Sequence, residues 1–507
     1  MSDETSVPAG HFGVRNPADG RLVGTAAEQS AAQVGAAAAA LRAAQSEWAA
    51  SGPRERAKWL TELQDWVIDH RAELADIVQS ESGKVRPEAE LEPAAWIDII
   101  NHYARHAGKF LAEHHPAPHS PLGSVKRLTV GYRPYPLVGV ITPWNYPLAM
   151  GALDIPAALL AGAAVLHKPS EVTPLSALAM ARGWAEIGAP PVFAVATGAG
   201  AAGAAVVEAA DYVQFTGSTR TGKVIAAQCV QALKPHSLEL GGKDPAIVLA
   251  DADLDHAARG IAWGGLFNSG QTCVAIERVY VEAAVYDEFV SRLVAHVREL
   301  RQGQDDRGFR FDVGAMATPA QRDLVARHVD AAIAAGARAL TGGKPTGTGT
   351  FFEPTVLVDV DRSMAVVAEE TFGPVLPVIK VRDENEAVEL ANDSVYGLSA
   401  TVWTGDLARG RRIATRLEAG AVNINDAIAN LFSFALPMGG WKQSGIGTRF
   451  GGAAGLRKYC QPQAITEPRM PMPTLIWFPY SKTNFRAVYA IMRAVGARGR
   501  RRFARNA

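Results

Sequence analysis

Three cysteines occur among 507 residues, Cys229, Cys273 and Cys460, and no two of them are close in sequence. With no Cys-x-x-Cys or Cys/His ligand spacing, neither a zinc site nor a disulfide framework is expected, and no metal is assigned. A long uninterrupted apolar run is missing too. The most apolar stretch, LAMGALDIPAALLAGAAVL (148–166), is broken by Asp154, Pro156 and Gly162. It reads as a buried helix followed by a strand rather than a membrane span. The start, MSDETSVPAG, is acidic and polar with no basic-then-apolar secretion signal. Together with the scarce cysteine, this gives the expectation of a cytoplasmic protein. Nor is there an overall excess of charge: Lys+Arg and Asp+Glu are 51 each, so no nucleic-acid partner is expected. The balance is uneven along the chain. Residues 470–507 hold eight basic groups and no acid, which leaves 43 basic against 51 acidic groups, a net of −8, in residues 1–469.

What is present suits a globular protein. An apolar content of 48% with 20% charged residues allows a large buried core, and the length suits two or three domains. Residues 32–112 read as consecutive helices. Within them, PRERAKWLTELQDWVIDHRAELADIVQSESGK (53–84) has helical apolar spacing, with Pro53 near its start and Gly83 near its end. Residues 124–134, SVKRLTVGYRP, read as extended. From Val138 onward the strand pieces VGVITP, AAVLHKP, PVFAVATG and YVQFTG alternate with Ala-rich helical stretches, which implies βαβ units and a mainly parallel sheet. After Cys273 come ERVYVEA, TVLVDV, PVLPVIKV, LSATVWT and AVNIND, again separated by helices. The Gly-rich GGKPTGTGTFF (342–352) is a loop. The expected class is α/β, two such domains side by side, with strand pieces near 118–134 and 457–468 left over.

Several polar clusters fall at strand ends, where ligands of open parallel sheets sit. GSTRTGK (217–223) turns into a helix, and its backbone N–H groups with the Ser218 hydroxyl can receive a pyrophosphate; a plain helix cap fits equally. Lys168, Ser170 and Glu171 follow AAVLHKP and fit either ribose contacts or a capping Ser-Glu. ITPWNYP (141–147) places Asn145 between Trp144 and Tyr146, as an oxyanion donor or a turn residue. LELGGKDP (238–245) carries Glu239 at an apolar strand end, where burial raises a carboxyl pKa toward that of a general base; a Glu turned to solvent is the alternative. Cys273, in FNSGQTCVA (267–275), fits a small buried hydrophobe or a nucleophile.

In this order, ITPWNYPL, HKPSEVTP, FTGSTRTGK, LELGGKDP, FNSGQTCVA, EETFGPVLPV (369–378), YGLSATVWT (396–404) and PMGGWKQSGIG (437–447) resemble the aldehyde dehydrogenase superfamily over residues 15–465. The Glu-Leu-Gly-Gly-Lys and Gly-Gln-x-Cys pieces are highly specific for it. The resemblance implies that Cys273 is the nucleophile, that the Asn145 amide and the Cys273 N–H hold the oxyanion, and that Glu239 activates the hydrolytic water. Glu239 separates the chain from relatives that pass the acyl group to coenzyme A. The implied cofactor is NAD, with NADP possible. Lys168 and Glu171 would meet the adenosine ribose, Ser218 the pyrophosphate, Glu370 the nicotinamide ribose and Phe372 the ring, with Trp144 as a wall of the cleft. Ile141, Thr142, Ser170, Gly217, Leu240 and Gly241 complete the cofactor set. Glu171 favours NAD by repelling a 2′-phosphate, whereas Lys168 can pair with one.

The implied architecture is a Rossmann-like cofactor domain (1–117 and 135–240), an α/β catalytic domain (241–456) and a small β oligomerisation arm (118–134 and 457–468). Such an arm builds homodimers or homotetramers. The position eight residues after the oxyanion asparagine faces the substrate tunnel in this family and is Leu153 here. With Tyr146, Met150, Thr272, Val274, Phe432, Phe434 and Met438 it implies a small-molecule aldehyde that is apolar, aliphatic or aromatic. A semialdehyde dehydrogenase of the same fold is the nearest alternative, and a non-catalytic NAD-binding structural protein is the alternative from another class. Residues 469–507 form an apolar and basic tail. Phe485, Val488, Tyr489, Met492 and Val495 fall at helical spacing. This tail is expected to pack on the body or on a neighbouring subunit, with peripheral membrane contact through residues 474–507 as the other reading.

Overall fold

The computed structural model describes residues 7–347, 349–469 and 476–499. The parts of the basic tail at 470–475 and 500–507 lie outside the described residues.

Two open sheets organise the chain. The first runs, in spatial order, Gly445–Ile446, His236–Glu239, Tyr212–Thr216, Leu137–Ile141, Ala164–Lys168 and Phe193–Val195. Its last five strands are parallel. The chain builds outward from Leu137–Ile141 to Phe193–Val195, then returns to the other side of Leu137–Ile141 with Tyr212–Thr216. Strand order therefore reverses between Leu137–Ile141 and Tyr212–Thr216, and ligands of open sheets bind beyond the carboxyl ends at such a reversal. Leu137–Ile141 and Ala164–Lys168 are buried throughout, which is why the first reads as an unbroken apolar run and the second begins as one.

The second sheet runs Arg338–Thr341, Thr355–Val358, Val375–Val381, Ile276–Glu282, Asp244–Val248, Ser399–Trp403 and Ala421–Ile424. It is parallel apart from the antiparallel edge strand Arg338–Thr341. Asp244–Val248 carries no strand signal in the sequence because it follows two glycines and contains Pro245, a residue depleted from central strands. The register shift opposite it, between Ile276 and Arg278, accommodates that proline.

Three further differences from the sequence expectations have local causes. Residues 53–84 form two helices, Gly52–Asp69 and Arg71–Ser82, that part at His70, whose backbone leaves the helical region (φ −101°, ψ 10°) while its ring Nδ1 lies 2.8 Å from the Trp66 carbonyl. An N-terminal ribbon, His11–Arg15 with Leu22–Ala27, precedes the helices. Gly445–Ile446, expected within the catalytic domain at 241–456, pairs antiparallel with His236–Glu239 of the first sheet. That crossing carries Arg449 to the end of the strand that holds Glu239.

Lys126–Pro134 and Cys460–Pro468 pair antiparallel over nine residues, and Gln461–Pro468 stands exposed. The tail forms a helix, Lys482–Gly496, that meets the short turn Pro121–Ser124. No residue of this helix is buried among the described residues, so the expected packing of its aromatics on the body is not seen among them. Among the described residues no helix is long and apolar enough to cross a membrane.

Candidate active site

Cys273 follows a loop with an unusual backbone. The helix Leu254–Leu266 ends in the turn Phe267–Gly270, where Asn268, Ser269 and Gly270 all have positive φ, at 55°, 56° and 72°. Left-handed backbone at two non-glycine residues is costly, and it persists only where the surroundings impose it. Here the Asn268 N–H donates to Glu88 Oε1 (2.7 Å), Asn268 Nδ2 to the Asn145 carbonyl (2.9 Å), and Ser269 Oγ to the Gly314 carbonyl (2.9 Å). Gly270 has no alternative, because a Cβ there would lie 2.1 Å from the Gly373 carbonyl oxygen. A Cβ on Gly242 would lie 2.5 Å from the Cys273 carbonyl, so the second glycine of LELGGK lets the nucleophile's backbone pass against the strand end.

Cys273 and Glu239 open into one cavity of about 260 Å³. Glu239 is 1% exposed, and neither carboxylate oxygen has a hydrogen-bond partner among the described residues. Burial raises its pKa to about 7 against the moderating charge of Arg449. The Cys273 thiol is pushed well above its ordinary range, first by burial and then by the charge of Glu239. The resting group is therefore a thiol, with a base of near-neutral pKa in the same cavity.

Tyr146, Met150, Leu153, Thr272, Phe432, Phe434 and Met438 all line this cavity. Val274 does not; it is buried in the core, one residue beyond the thiol and facing away from the cavity. Asn145 is buried and is not among the lining residues. Its Nδ2 donates to the Gln271 carbonyl at 2.9 Å, and its Oδ1 is buried without a partner. The Asn145 carbonyl accepts from Lys84 Nζ at 3.0 Å. Lys84 pairs with Glu92, whose other oxygen accepts from the Leu148 and Ala149 N–H groups at 2.8 and 2.9 Å.

Other lining residues carry no signal in the sequence. Leu91, Ala94 and Ala95 come from the helix Arg86–Phe110, and Ile428 and Leu431 from the loop after Ala421–Ile424. Arg449 also lines the cavity. It pairs with the fully buried Asp154 (3.1 Å), donates to Thr216 Oγ1, and lies 3.6 Å from Met150 Sδ. Lys458 pairs with the other oxygen of Asp154 at 3.1 Å. The visible trace was Asp154 itself, an acid inside an apolar run that has to find a cation when buried.

The second cluster of expected residues gathers at the strand-order reversal. Ile141 and Thr142 end one strand there, and Gly217 and Ser218 follow the other. Ser218 caps the 13-residue helix Thr219–Gln231, accepting from the Thr221 N–H. Lys168 Nζ lies 3.1 Å from Glu171 Oε2, and the Ser170 hydroxyl accepts from the Val172 N–H. The rings of Trp144 and Phe372 meet edge to face at 5.5 Å. Glu370 accepts from the Gly242 N–H at 3.1 Å, and burial raises its pKa to about 8. The Leu240 N–H is held by the Ser444 carbonyl, and Gly241 packs against Glu370. A helix N-terminus for phosphate, carboxylates for two riboses and an aromatic pair for a planar ring form a donor set that fits a dinucleotide.

Comparison with known proteins agrees with this geometry. The sequence model of the Aldehyde dehydrogenase family matches residues 5–465. The chain belongs to the aldehyde dehydrogenase family. It is thus an NAD(P)-dependent aldehyde oxidoreductase by family. A Mycolicibacterium smegmatis protein provisionally assigned as succinate-semialdehyde dehydrogenase [NADP(+)] is 42% identical over 456 residues, 89% of this chain and 87% of its own. The 4,4'-diapolycopene aldehyde oxidase of Methylomonas sp is 37% identical over 477 residues, 93% of this chain and 88% of its own. The crystal structure of an aldehyde dehydrogenase from Brucella melitensis biovar abortus 2308 superposes with a TM-score of 0.87 at 36% identity, covering 91% of this chain and 94% of that one.

Proposed function

We propose that the chain oxidises apolar aldehydes to carboxylic acids through a cysteine thiohemiacetal and a thioacyl enzyme. One observation carries the substrate class: the cavity that holds Cys273 and Glu239 is walled by Leu91, Met150, Leu153, Leu431, Phe432 and Met438. A hydrocarbon chain entering it gains from leaving water, whereas a second carboxylate meets Glu239 and Asp98 in the same lining. The nearby cations are already engaged, Arg449 and Lys458 both pairing with Asp154. The name of the Methylomonas relative, which specifies an aldehyde of diapolycopene, supports the same class. The second reading, a carboxylate-bearing semialdehyde, is favoured by the Mycolicibacterium relative and by the unpartnered Nε of Arg449.

In the proposed reaction Cys273 Sγ bonds to the carbonyl carbon while its proton passes to Glu239. The second amide proton of Asn145 and the Cys273 N–H steady the oxyanion. A nicotinamide held beside Trp144 and Phe372 would supply the acceptor for the hydride that leaves this carbon. Glu239, having released its first proton, takes one from water, and the hydroxide formed attacks the thioester carbon. Cys273 leaves as the thiol and the carboxylic acid departs. Toward the cofactor, Lys168 and Glu171 would hold the adenosine ribose, Ser218 and its helix the pyrophosphate, and Glu370 the second ribose. The Lys168–Glu171 pair suits NAD through the carboxylate and leaves NADP usable through the ammonium. The exposed ribbon of Lys126–Pro134 and Cys460–Pro468 is assigned to sheet extension with a neighbouring subunit, in a homodimer or homotetramer.

The test is kcat/KM for hexanal, benzaldehyde and succinate semialdehyde with each cofactor. Hexanal or benzaldehyde is expected to lead. A clear lead for succinate semialdehyde overturns the substrate class and leaves the reaction standing.

A further inference from the structure

The reaction leaves the tail unexplained. On the helix Lys482–Gly496, Phe485, Tyr489, Met492 and Val495 line one side at helical spacing and all are exposed, Tyr489 at 67%. Just before the helix, Trp477 is 71% exposed. Phe478, Tyr480 and Phe485 meet ring to ring at 4.4 and 5.7 Å, so the aromatic cluster extends the apolar face beyond the helix. Lys482, Arg486 and Arg493 fall in a stripe along one edge of that face, by the 3.6-residue period. Asn484, Val488 and Ile491, partly covered, lie on the opposite edge. A contiguous apolar face of this kind marks a binding surface.

We propose that this tail is an interfacial anchor, its helix lying in the plane of an anionic lipid bilayer. The observations favour that occupant on two grounds. First, the charge is of one sign: residues 470–507 hold eight basic groups and no acid, and five of the last ten residues are arginine. A diffuse anionic surface matches such a sequence better than a fixed protein groove does. Second, the apolar face is flanked by a basic stripe and headed by Trp and Tyr. That places the hydrocarbon-facing side, the head-group aromatics and the phosphate-facing cations at three successive depths. An apolar helix face alone or a basic segment alone gives weak, reversible attachment, and the two together give stable attachment. The remaining 469 residues carry a net of −8 and are repelled by the same surface, which orients the body away from it. The tail's chemistry does not depend on which aldehyde is oxidised.

The test uses the full-length protein and sedimentation with vesicles of phosphatidylcholine containing one quarter phosphatidylglycerol. Binding is expected to fall about ten-fold as salt is raised through the range that screens surface charge, and to be absent with phosphatidylcholine alone. The double variant Tyr489→Asp/Met492→Asp, altered only at exposed positions, should lose binding while oxidising a water-soluble aldehyde at the parent rate. Lys482→Glu/Arg486→Glu should lose it as well. Failure of the parent to bind overturns the anchor, as does binding that survives both variants. If the parent fails to bind and Tyr489→Asp/Met492→Asp lowers its sedimentation coefficient, the face belongs to a second copy of the chain instead.

Discussion

Arg449 and Asp154 form a buried ion pair, Nη2 to Oδ2 at 3.1 Å, beside the carboxyl group of Glu239. Asp154 lies in the apolar stretch after Asn145, and Arg449 arrives from the opposite end of the chain through the strand Gly445–Ile446. Leaving a buried charge wholly unpaired costs about 3–5 kcal/mol, but Asp154 keeps Lys458 and the Tyr459 hydroxyl when Arg449 is removed. Arg449→Met should therefore lower stability by less than that range, read by urea unfolding. It should also raise the Glu239 pKa, because Arg449 is the leading influence that lowers it. The acid limb of the kcat profile then moves to higher pH. An unmoved limb would show that Arg449 is structural and does not tune the base.

Glu239 also links stability to pH. Its carboxyl holds a proton up to about pH 7 in the folded chain, against 4.5 for an ordinary Glu. Between those values the folded state binds the extra proton, so this contribution is complete below 4.5 and is lost as pH rises to 7. Glu239→Gln carries no such loss. Relative to the parent, the variant should gain ~2.5 kcal/mol of stability between pH 5 and pH 8. A difference that stays flat across this range contradicts the burial of an ionisable Glu239.

The reaction itself separates Cys273 from Glu239. Cys273→Ala should lose oxidation by roughly ten-thousand-fold, since no other group in the cavity can form the thioester. Glu239→Gln should form at most one equivalent of reduced cofactor per active site, more slowly than the parent, and then stall at the acyl enzyme. Rapid-quench or stopped-flow absorbance at the reduced nicotinamide band reads both. Steady turnover in Glu239→Gln would assign the water-activating role elsewhere.

How much of this was legible depends on distance in sequence. The parallel strands announced themselves because buried strands such as Leu137–Ile141 are continuous apolar runs, and others such as Ser399–Trp403 are rich in β-branched and aromatic residues. Cys273 and Glu239 were legible because each sits in a short motif at a strand or helix end, and one cavity receives both. Leu91, Ala94 and Ala95 were not, because their side of the helix Arg86–Phe110 looks like any amphipathic face until the loop near Ile428 closes over it. Arg449 was hidden for a different reason. A lone arginine after a glycine-rich turn reads as solvated, and only the pairing of Gly445–Ile446 with His236–Glu239 reveals that it is buried. The exposed tail face was legible as a helix period, but the absence of a covering surface within one subunit is a tertiary fact.

Leu153 offers the sharpest handle on substrate choice. It lines the cavity beside Met150, immediately before the buried Asp154. The cations near it are already engaged, since Arg449 and Lys458 both pair with Asp154. Leu153→Arg puts a cation where Leu153 now offers hydrocarbon beside Met150. An apolar aldehyde then loses a hydrocarbon contact and meets a desolvated charge, and its kcat/KM should fall about 100-fold. Succinate semialdehyde gains an ion partner that lines the cavity, and its kcat/KM should rise about ten-fold from its low starting value. The ratio between the two substrates is the decisive readout, because a general loss of folding or of cofactor binding lowers both and leaves the ratio unchanged. If the ratio does not move, Leu153 does not meet the substrate and the apolar wall of this cavity is not what selects it.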